Sequence, residues 1–372
     1  MFAKPINMIL VYIVTIFNVM ILASPIVAVV APLLEIRDNT IIIEYDTFQK
    51  IKLAFFLMAF LVSSMMLFYL ILDFLFGLSL RSSLKNCQRF EKNKDYDFLA
   101  NIFDQVKDKF NEKRVKLYIK NSNEINAFAV SSLGGKAIVL TSGLINHYLK
   151  YCTDSKQFLY ALRSIMGHEM SHLINKDFLP SFLIISNQKV TNFSSSLLYS
   201  AFKMTSRIMG SIPYGGKFAS HTMDKTYSAL NLLITFFNRF VVYSVYEFLR
   251  KFISRSIEYR CDNQSAKAFG GGNMAFALSM LGDSGYFTLF STHPRTKARV
   301  KKVQDIKISD KIIRPKFFDS LANYLSLLFL VVICAYFAKQ ARIDVMAHEF
   351  IKNHEIIHRK ISTLWNLISK FF

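Results

Sequence analysis

Long runs without charge constrain this chain more than any other feature of its sequence. Residues 5–34 contain no charged side chain, and 53–72 and 320–338 are uncharged as well. About 20 such residues cross the hydrocarbon core of a bilayer as a helix, which satisfies its own backbone polar groups. We therefore predict a multi-span membrane protein. A cleavable signal peptide is the rival interpretation of the first run, although its apolar region would be only about 7–15 residues long.

The composition agrees with a membrane partner. The chain is 52% hydrophobic and 15% aromatic, with a formal net charge of +20. A basic chain suits either nucleic acid or an anionic membrane surface. We find no nucleic-acid-binding signature, so we predict contact with the lipid bilayer and none with nucleic acid. The four cysteines are scattered, which favours a reducing compartment over a disulfide framework.

Charges beside the second apolar run predict its orientation. The run continues to about residue 80 and is followed at once by Arg81, Lys85 and Arg89, whereas the loop 35–52 balances acidic and basic residues. Because loops rich in lysine and arginine stay in the cytoplasm, we place the segment after residue 80 there. The expected location is the cell (inner) membrane, with the chain crossing it several times.

A metal-ligand motif lies in that cytoplasmic segment. Residues 168–172 read His168-Glu169-Met170-Ser171-His172. Positions i and i+4 share one face of a helix, so the two imidazoles can bind one Zn²⁺ while Glu169 reaches a water beside it. A second match, His354 to His358, is followed by no Asp, Glu, His or Cys. We therefore expect one zinc ion per chain, at the first motif.

A zinc site of this type needs a third protein ligand. Asn175 and Phe178 stand where the metzincin pattern requires glycine and histidine, which excludes that pattern. The other common source is a glutamate on a later helix. Glu258 begins a Glu-x-x-x-Asp stretch and can be that ligand, and Asp262, one helical turn on, can hydrogen-bond a ligand histidine.

Periodicity predicts the fold around the first motif. Alternation over 115–120 predicts a strand, and the apolar runs 125–131 and 136–142, joined through Gly134-Gly135, predict a hairpin. A helix over 154–175, with Thr153 or Asp154 as its N-cap, carries the motif in its last turns. The predicted fold class is α+β and mostly helical, with a zincin-like domain in which this helix accompanies a small antiparallel sheet.

The remaining chain is divided by its apolar and basic segments. We predict two transmembrane helices in 1–80, the catalytic domain in 81–177 and 251–316, a membrane hairpin in 178–250, a further span in 317–338 and a basic amphipathic tail in 339–372. Polar residues interrupt 178–250, so a pair of partly buried soluble helices stays open as the alternative. The tail suits a membrane interface or a helix docked on another helix.

Together these features resemble the HtpX-type membrane zinc metalloproteases, which are related to the CAAX prenyl endopeptidases. The resemblance rests on five segments: Asn126-Ala127-Phe128-Ala129, Thr141-Ser142-Gly143-Leu144, Gly167 to His172 with Asn175 and Asp177, Glu258-Tyr259-Arg260-Cys261-Asp262, and Ser291-Thr292-His293-Pro294 with Arg299. Cys261 replaces the usual alanine, and Lys176 replaces a small residue.

The resemblance implies a zinc-dependent endopeptidase that hydrolyses peptide bonds of membrane or misfolded proteins in quality control. His168, His172 and Glu258 would bind the metal, and Glu169 would be the general base, as the bare chemistry also suggests. By analogy only, His293 and Arg299 would stabilise the developing oxyanion. Asn126 to Ala129 would bind an extended substrate backbone.

Several alternatives remain open at this point. His293 could cap a turn, Arg299 could pair with an acid, and residues 126–129 could serve only the sheet core, while Cys261 is expected to be a small buried side chain. At the level of the whole protein, the alternatives are an intramembrane metalloprotease and a non-catalytic membrane scaffold. Charges near the motif disfavour the first, and the complete ligand set disfavours the second.

Overall fold

Helices make up most of this protein. The computed structural model describes residues 3–30, 35–37, 40–42, 45–92, 96–132, 134–213, 215–236, 240, 243–281, 294–345 and 352. The helices are α1 Ala3–Val30, α2 Tyr45–Phe76, α3 Leu78–Ser83, α4 Leu99–Lys109, α5 Ser142–Tyr151, α6 Ser155–Asn175, α7 Phe178–Gly210, α8 Gly216–Phe236, α9 Tyr243–Phe269, α10 Gly271–Met280, α11 Thr296–Val303 and α12 Phe317–Gln340. The strands are β1 Glu35–Arg37, β2 Thr40–Ile42, β3 Cys87–Arg89, β4 Val115–Lys120, β5 Ala127–Ser131 and β6 Lys136–Thr141.

Three of these helices are long and apolar enough to cross a membrane: Ala3–Met20 within α1, Ile51–Phe76 within α2, and α12. Large apolar side chains on them are exposed, including Ile9, Ile16, Phe68, Leu75 and Leu328. An apolar surface of this kind is compatible with lipid rather than with water. The prediction of a mostly helical membrane protein is confirmed.

The second span ends earlier than the sequence suggested. Gly77 has a φ of 59°, a left-handed conformation that glycine adopts at little cost, and it separates α2 from α3. The Asp73 side chain then accepts a hydrogen bond of 2.8 Å from the backbone N–H of Ser79. The apolar run that reaches residue 80 is therefore two helices, of which only the first is a candidate span.

The larger sheet is mixed, which corrects the prediction of an antiparallel one. Its strand order is β3-β4-β6-β5. The hairpin of β5 and β6 is antiparallel, as predicted, but β6 lies beside β4 and runs parallel to it. The alternation in 115–120 identified β4 as a strand without specifying its neighbour. Because β5 stands at the edge of the sheet, its outer side is available to the site described below.

Buried apolar residues of this sheet and of α4, α5, α6 and α9 form the main hydrophobic core. It contains Leu99, Leu117, Ile138, Leu140, Leu144, Leu162 and Met166, each no more than 1% exposed. Helix α6 supplies the largest share of this core and so is held from several sides. That packing fixes the helix that carries the first His-Glu-x-x-His motif.

The chain separates into two compact units. The first comprises residues 1–17, 66–189 and 232–327, which include the larger sheet and helix α6. The second comprises 18–65, 190–231 and 328–372, in which Tyr199 stacks near Tyr227 and Phe56 contacts Phe337. The site described next draws its residues from the first unit alone.

Some sequence predictions fall outside these observations. Among the described residues, α7 and α8 are not among the helices that are long and apolar enough to cross a membrane. The membrane hairpin over 178–250 stays a prediction. The second motif, His354 to His358, lies outside the described residues, as do 346–351 and 353–372 of the predicted tail. Strands β1 and β2 form a short antiparallel pair in the loop 35–52, which the sequence analysis did not predict.

Candidate metal centre

Helix α6 begins and ends with distinct capping structures. Its N-cap is Asp154, whose side chain accepts a hydrogen bond of 3.2 Å from the N–H of Lys156, one of the two caps proposed from the sequence. At the other end Lys176 adopts a left-handed conformation with φ 54°. The Lys176 N–H donates to the carbonyl of Leu173 and the Asp177 N–H donates to that of His172, a Schellman motif. This turn brings Asp177 back beneath His172.

Helix α9 packs closely against α6 because Gly167 has no side chain. A Cβ atom at Gly167 would lie 2.7 Å from the ring of Phe269 and 2.8 Å from the hydroxyl of Ser265. That hydroxyl donates a hydrogen bond of 2.6 Å to the carbonyl of Ser164. The side chain of Gln264 accepts hydrogen bonds from Ser171 and, at 2.8 Å, from Asn175. These contacts fix the register of the two helices.

This register brings Glu258 to the two motif histidines. The Nε2 atoms of His168 and His172 are 3.2 Å apart. The Glu258 carboxylate lies 3.4 Å from His168 Nε2 and 3.6 Å from His172 Nε2. Ligand atoms 2.0–2.1 Å from a tetrahedral zinc ion are separated by about 3.3 Å. The three donor atoms therefore have the spacing and the chemistry that fit Zn²⁺.

Each motif histidine presents its other ring nitrogen to a carboxylate. His168 Nδ1 lies 2.8 Å from Asp262, and His172 Nδ1 lies 2.9 Å from Asp177. An imidazole that donates Nδ1–H to a carboxylate keeps the lone pair of Nε2 for a metal. The hydrogen bond to Asp177 thus favours the His172 tautomer that leaves Nε2 free for a metal, and Asp262 lies close enough to His168 Nδ1 to favour the same tautomer there.

Each of these carboxylates is held in turn by an arginine. Arg299 donates two hydrogen bonds of 2.7 Å to Asp262, which is fully buried. Arg260 donates to Asp177 and to Asp319. Bidentate and charge-assisted contacts of this kind are the stronger hydrogen bonds in proteins. The orientation of both imidazoles consequently depends on ion pairs behind them.

The site favours positive charge at the histidine pair. Burial lowers the pKa of His168, but hydrogen bonds to Asp262 and Glu258 outweigh it and raise that pKa to about 10. Burial likewise opposes protonation of His172, yet Cys261 and the hydrogen bond to Asp177 bring its pKa well above the ordinary value. Such surroundings stabilise positive charge between the two imidazole rings. A divalent metal ion bound to both rings would supply that charge.

Glu169 lies beside the metal ligands and is itself buried. Burial raises the pKa of its carboxyl group, an effect that the neighbouring histidines reduce. The backbone N–H of Ala129, on the edge strand β5, donates a hydrogen bond to it. A carboxylate whose pKa lies above its usual range is better matched to proton transfer near neutral pH.

A cavity of about 310 Å³ opens onto these groups. Its lining comprises His168, Glu169 and Glu258, then Ile125, Asn126 and Ala127 at the start of the edge strand β5, and also Leu144, Ile165, Leu278, Leu281, Pro294, Thr296 and Arg299. The cavity has room for a segment of a peptide, and one of its walls is a strand edge.

The structure brings together most of the residues named from the sequence. His168, His172 and Glu258 come together, with Glu169, Asp262 and Arg299 beside them; all are buried except His172, which is half-buried. Asn126 and Ala127 line the cavity next to this cluster. Phe128 and Ala129 follow on β5. His293 lies outside the described residues. Cys261 is fully buried, with its sulfur 3.8 Å from the carboxylate of Asp177.

Sequence reasoning assigned no role to Asp177, Arg260 or Lys4, although all three stand behind His172. Asp177 belongs to a segment that carries the family resemblance and follows His172 by five positions. Its place just beyond the end of the predicted helix could have indicated that its carboxylate turns back toward His172. Arg260, two positions after Glu258, offered no periodic pattern that pointed to Asp177. Lys4 offered none either, because its partners lie more than 170 positions away.

Comparison with known proteins finds a solved structure and a family model that are similar to this chain. A crystal structure of S. mikatae Ste24p aligns with the chain at 18% identity and a TM-score of 0.35, over 79% of this chain and 66% of that one. The chain therefore spans slightly less than two thirds of that protein. The model of peptidase family M48 matches residues 98–307, which contain every described ligand and its supporting carboxylates. Since this match covers more than half of the sequence, the chain belongs to peptidase family M48.

Proposed function

We propose that this protein is a membrane-anchored zinc endopeptidase that cleaves membrane or misfolded proteins on the cytoplasmic side of the cell membrane. Members of family M48 are zinc metalloproteases. The observation that carries the proposal is the meeting of two imidazole nitrogens and one carboxylate at 3.2–3.6 Å, beside Glu169 and an open cavity. His168, His172 and Glu258 would hold one zinc ion per chain.

The residues divide the chemistry of peptide hydrolysis among them. When bound to His168, His172 and Glu258, zinc would supply the Lewis acidity that lowers the pKa of a water molecule and polarises a carbonyl group. Glu169 accepts a proton on its carboxylate and passes it to the departing amine. The Ala129 N–H orients that carboxylate. Asp262 and Asp177 hold the imidazoles in the tautomer that the metal needs.

The roles of Arg299 and His293 remain part of the proposal. Two nitrogens of Arg299 engage Asp262, and one of them lies 3.5 Å from Glu258, so its contacts favour holding the ligand set in place. Arg299 also lines the cavity, which keeps contact with the developing oxyanion as an alternative role. His293 is proposed for that role by resemblance alone.

The edge strand supplies a binding mode for the substrate backbone. In the β5–β6 ladder, Thr141 N–H donates to the Asn126 carbonyl, and Ser132 N–H donates to the Gly135 carbonyl. Backbone groups alternate in direction along a strand, so those of Phe128 and Val130 face β6 and those of Ala127 and Ala129 face outward. An extended peptide that pairs with Ala127 would lie along the cavity and across Glu169.

The position of the site supports a membrane-anchored enzyme over an intramembrane one. Among the described residues, the three candidate spans do not include α6, which carries the motif. The basic residues Lys311, Arg314 and Lys316 precede α12, just as Arg81 follows α2. The C-terminal end of α2 and the N-terminal end of α12 both connect to the M48 domain. By the positive-inside rule, the basic residues at these two ends support a cytoplasmic location for that domain. The complete ligand set argues against a scaffold that has lost its activity.

The test compares two equivalent changes in the two His-Glu-x-x-His motifs. Glu169→Gln should retain zinc while lowering the rate of casein cleavage at least about 100-fold, because the proton acceptor is gone. Glu355→Gln, the same change in the second motif, is the matched control and should cleave at the wild-type rate. Metal content and cleavage are measured on the purified full-length chain. Full activity of Glu169→Gln, or loss of activity in Glu355→Gln alone, would refute this assignment.

A further inference from the structure

A lysine at the start of the first candidate span is completely buried next to the metal centre. The Lys4 side chain has no exposed surface, which for lysine requires specific partners. Its Nζ donates hydrogen bonds to the carbonyl oxygens of Asn175 and, at 2.9 Å, of Lys176. It also lies 3.5 Å from the carboxylate of Asp177. None of these contacts takes part in the hydrolysis outlined above.

The three acceptors form the turn that ends helix α6. The last carbonyl groups of a helix have no partners within it, and they carry the negative end of the helix dipole. A buried ammonium group at this point neutralises both the carbonyls and the Asp177 carboxylate. Lys4 thereby stabilises the one turn that places Asp177 under His172.

The same turn also forms hydrogen bonds with residues at the beginning of α12, a second candidate span. The Asn175 side-chain oxygen accepts a hydrogen bond of 2.9 Å from the N–H of Lys316, and the Asn175 carbonyl accepts one of 3.2 Å from Asn323 on α12. Arg260 joins Asp177 to Asp319, also on α12. The beginnings of α1 and α12 therefore both contact the residues behind His172.

We propose that Lys4 is a positioning residue of the metal centre, so that the N-terminal membrane helix is a working part of the site and not only an anchor. Lys4 holds Asp177, Asp177 holds Nδ1 of His172, and Nε2 of His172 is thereby aimed at the zinc position. The inference rests on the proposed zinc site. Because Arg260 also holds Asp177, loss of Lys4 should weaken zinc binding without abolishing it.

Zinc affinity of the purified full-length protein, measured by competition with a chromogenic chelator, tests this proposal. Lys4→Met keeps the length of the side chain and removes its charge, and it should weaken zinc binding about 10-fold, at the low end for residues that orient a ligand. Lys4→Arg should restore most of the affinity because it still donates to the turn. The matched control is Lys189→Met, which removes a lysine that donates to Tyr69 instead.

A double-mutant comparison separates positioning from a general loss of stability. In an Asp177→Asn background, Lys4→Met should change zinc affinity less than about twofold, since the carboxylate through which it acts is gone. An equal loss of affinity in both backgrounds would overturn the proposal, as would unchanged affinity in Lys4→Met. If Lys4→Met does not fold, Lys4→Gln replaces it, with the same requirement that its effect disappear when Asp177 is changed.

The proposed function and this inference fail separately. Zinc binding is measured without substrate, so it reports on Lys4 even if casein is not cleaved. Conversely, a wild-type protein that binds zinc and cleaves casein, together with a Lys4→Met variant of unchanged affinity, would support the endopeptidase and reject the positioning role.

Discussion

The two histidines of the motif have the same kind of support from two different sources. Behind His168 stands Asp262, held by Arg299, and Asp262 lies on the helix that also provides Glu258. Behind His172 stands Asp177, which contacts Arg260 and Lys4. Arg260 also contacts Asp319 at the start of α12, and Lys4 itself lies at the start of α1. The first arrangement is contained within the M48 match, whereas the second extends beyond both limits of that match, to Lys4 on one side and Asp319 on the other.

This difference separates what the catalytic domain provides from what the membrane helices provide. In the proposed site, zinc coordination at His168 would need only α6, α9 and α11. Orientation of His172 would also need Lys4 and Asp319, which lie at the beginnings of two candidate spans. We expect the two halves of the site to respond differently when their supports are removed.

Removal of the two arginines should show the largest difference. Arg299→Met removes two hydrogen bonds from the fully buried Asp262 and leaves His168 as its neighbouring cation, and we expect a loss of about 3–5 kcal/mol in the free energy of unfolding. Arg260→Met should cost less, because Asp177 retains two partners, Lys4 and His172, although Asp319 also loses its contact with Arg260. Thermal unfolding in detergent with zinc chelated measures both, and Arg299→Lys should recover part of the loss. Equal losses for the two arginines would contradict the asymmetry described here.

Acid should act on the Asp177 side over a defined range of pH. Burial raises the pKa of Asp177, but Arg260, His172 and Lys4 outweigh it and lower that pKa from 3.8 to about 2. The folded protein therefore binds the Asp177 proton more weakly than the unfolded chain does. The resulting stability, about 2 kcal/mol, is complete above pH 4 and is lost as the pH falls through 2.

Asp177→Asn provides the comparison for that pH range. Below about pH 5, where the His172 imidazole is protonated in both proteins, the difference in unfolding temperature between wild type and this variant should shrink as the pH falls from 4 to 2. Other acidic groups titrate in both proteins and cancel in the difference. A gap that stays constant down to pH 2 would mean that Asp177 is not ionised in the folded protein.

The smallest expected effect concerns the turn between His172 and Asp177. Lys176 holds a left-handed conformation that costs a residue with a Cβ atom about 1 kcal/mol relative to glycine. Its ammonium group lies 5.1 Å from the ring of Tyr324, a contact worth somewhat less at an accessible position. Lys176→Gly should therefore raise the unfolding free energy by less than about 1 kcal/mol and leave zinc affinity unchanged. Clear destabilisation would show that the contact with Tyr324 outweighs the backbone strain.

The sequence was most informative where spacing translates directly into geometry. The four-residue interval between His168 and His172 places both rings on one face of a helix, and the Glu-x-x-x-Asp interval does the same for Glu258 and Asp262. Alternation identified β4, and the paired glycines identified the turn between β5 and β6. Each of these predictions depends on local periodicity, and each agrees with the structure.

Contacts between distant positions could not be predicted in this way. The parallel pairing of β4 and β6 depends on which strand fills the space beside β4, and periodicity says nothing about neighbours. Lys4 looked like a charge at the edge of an apolar run, where lysine ordinarily reaches toward water. Its burial follows from the acceptor groups at the end of α6, a partner more than 170 positions away.

The close approach at Gly167 has a consequence for the long connection between the two ligand helices. Since α6 and α9 touch directly there, the separation of Glu258 from the histidines is fixed by two helix surfaces rather than by the chain that joins them. The spacing of the two imidazoles and the Glu258 carboxylate should therefore tolerate a change of length within α7 and α8, provided that the buried start of α7, which includes Leu179 and Leu183, is kept.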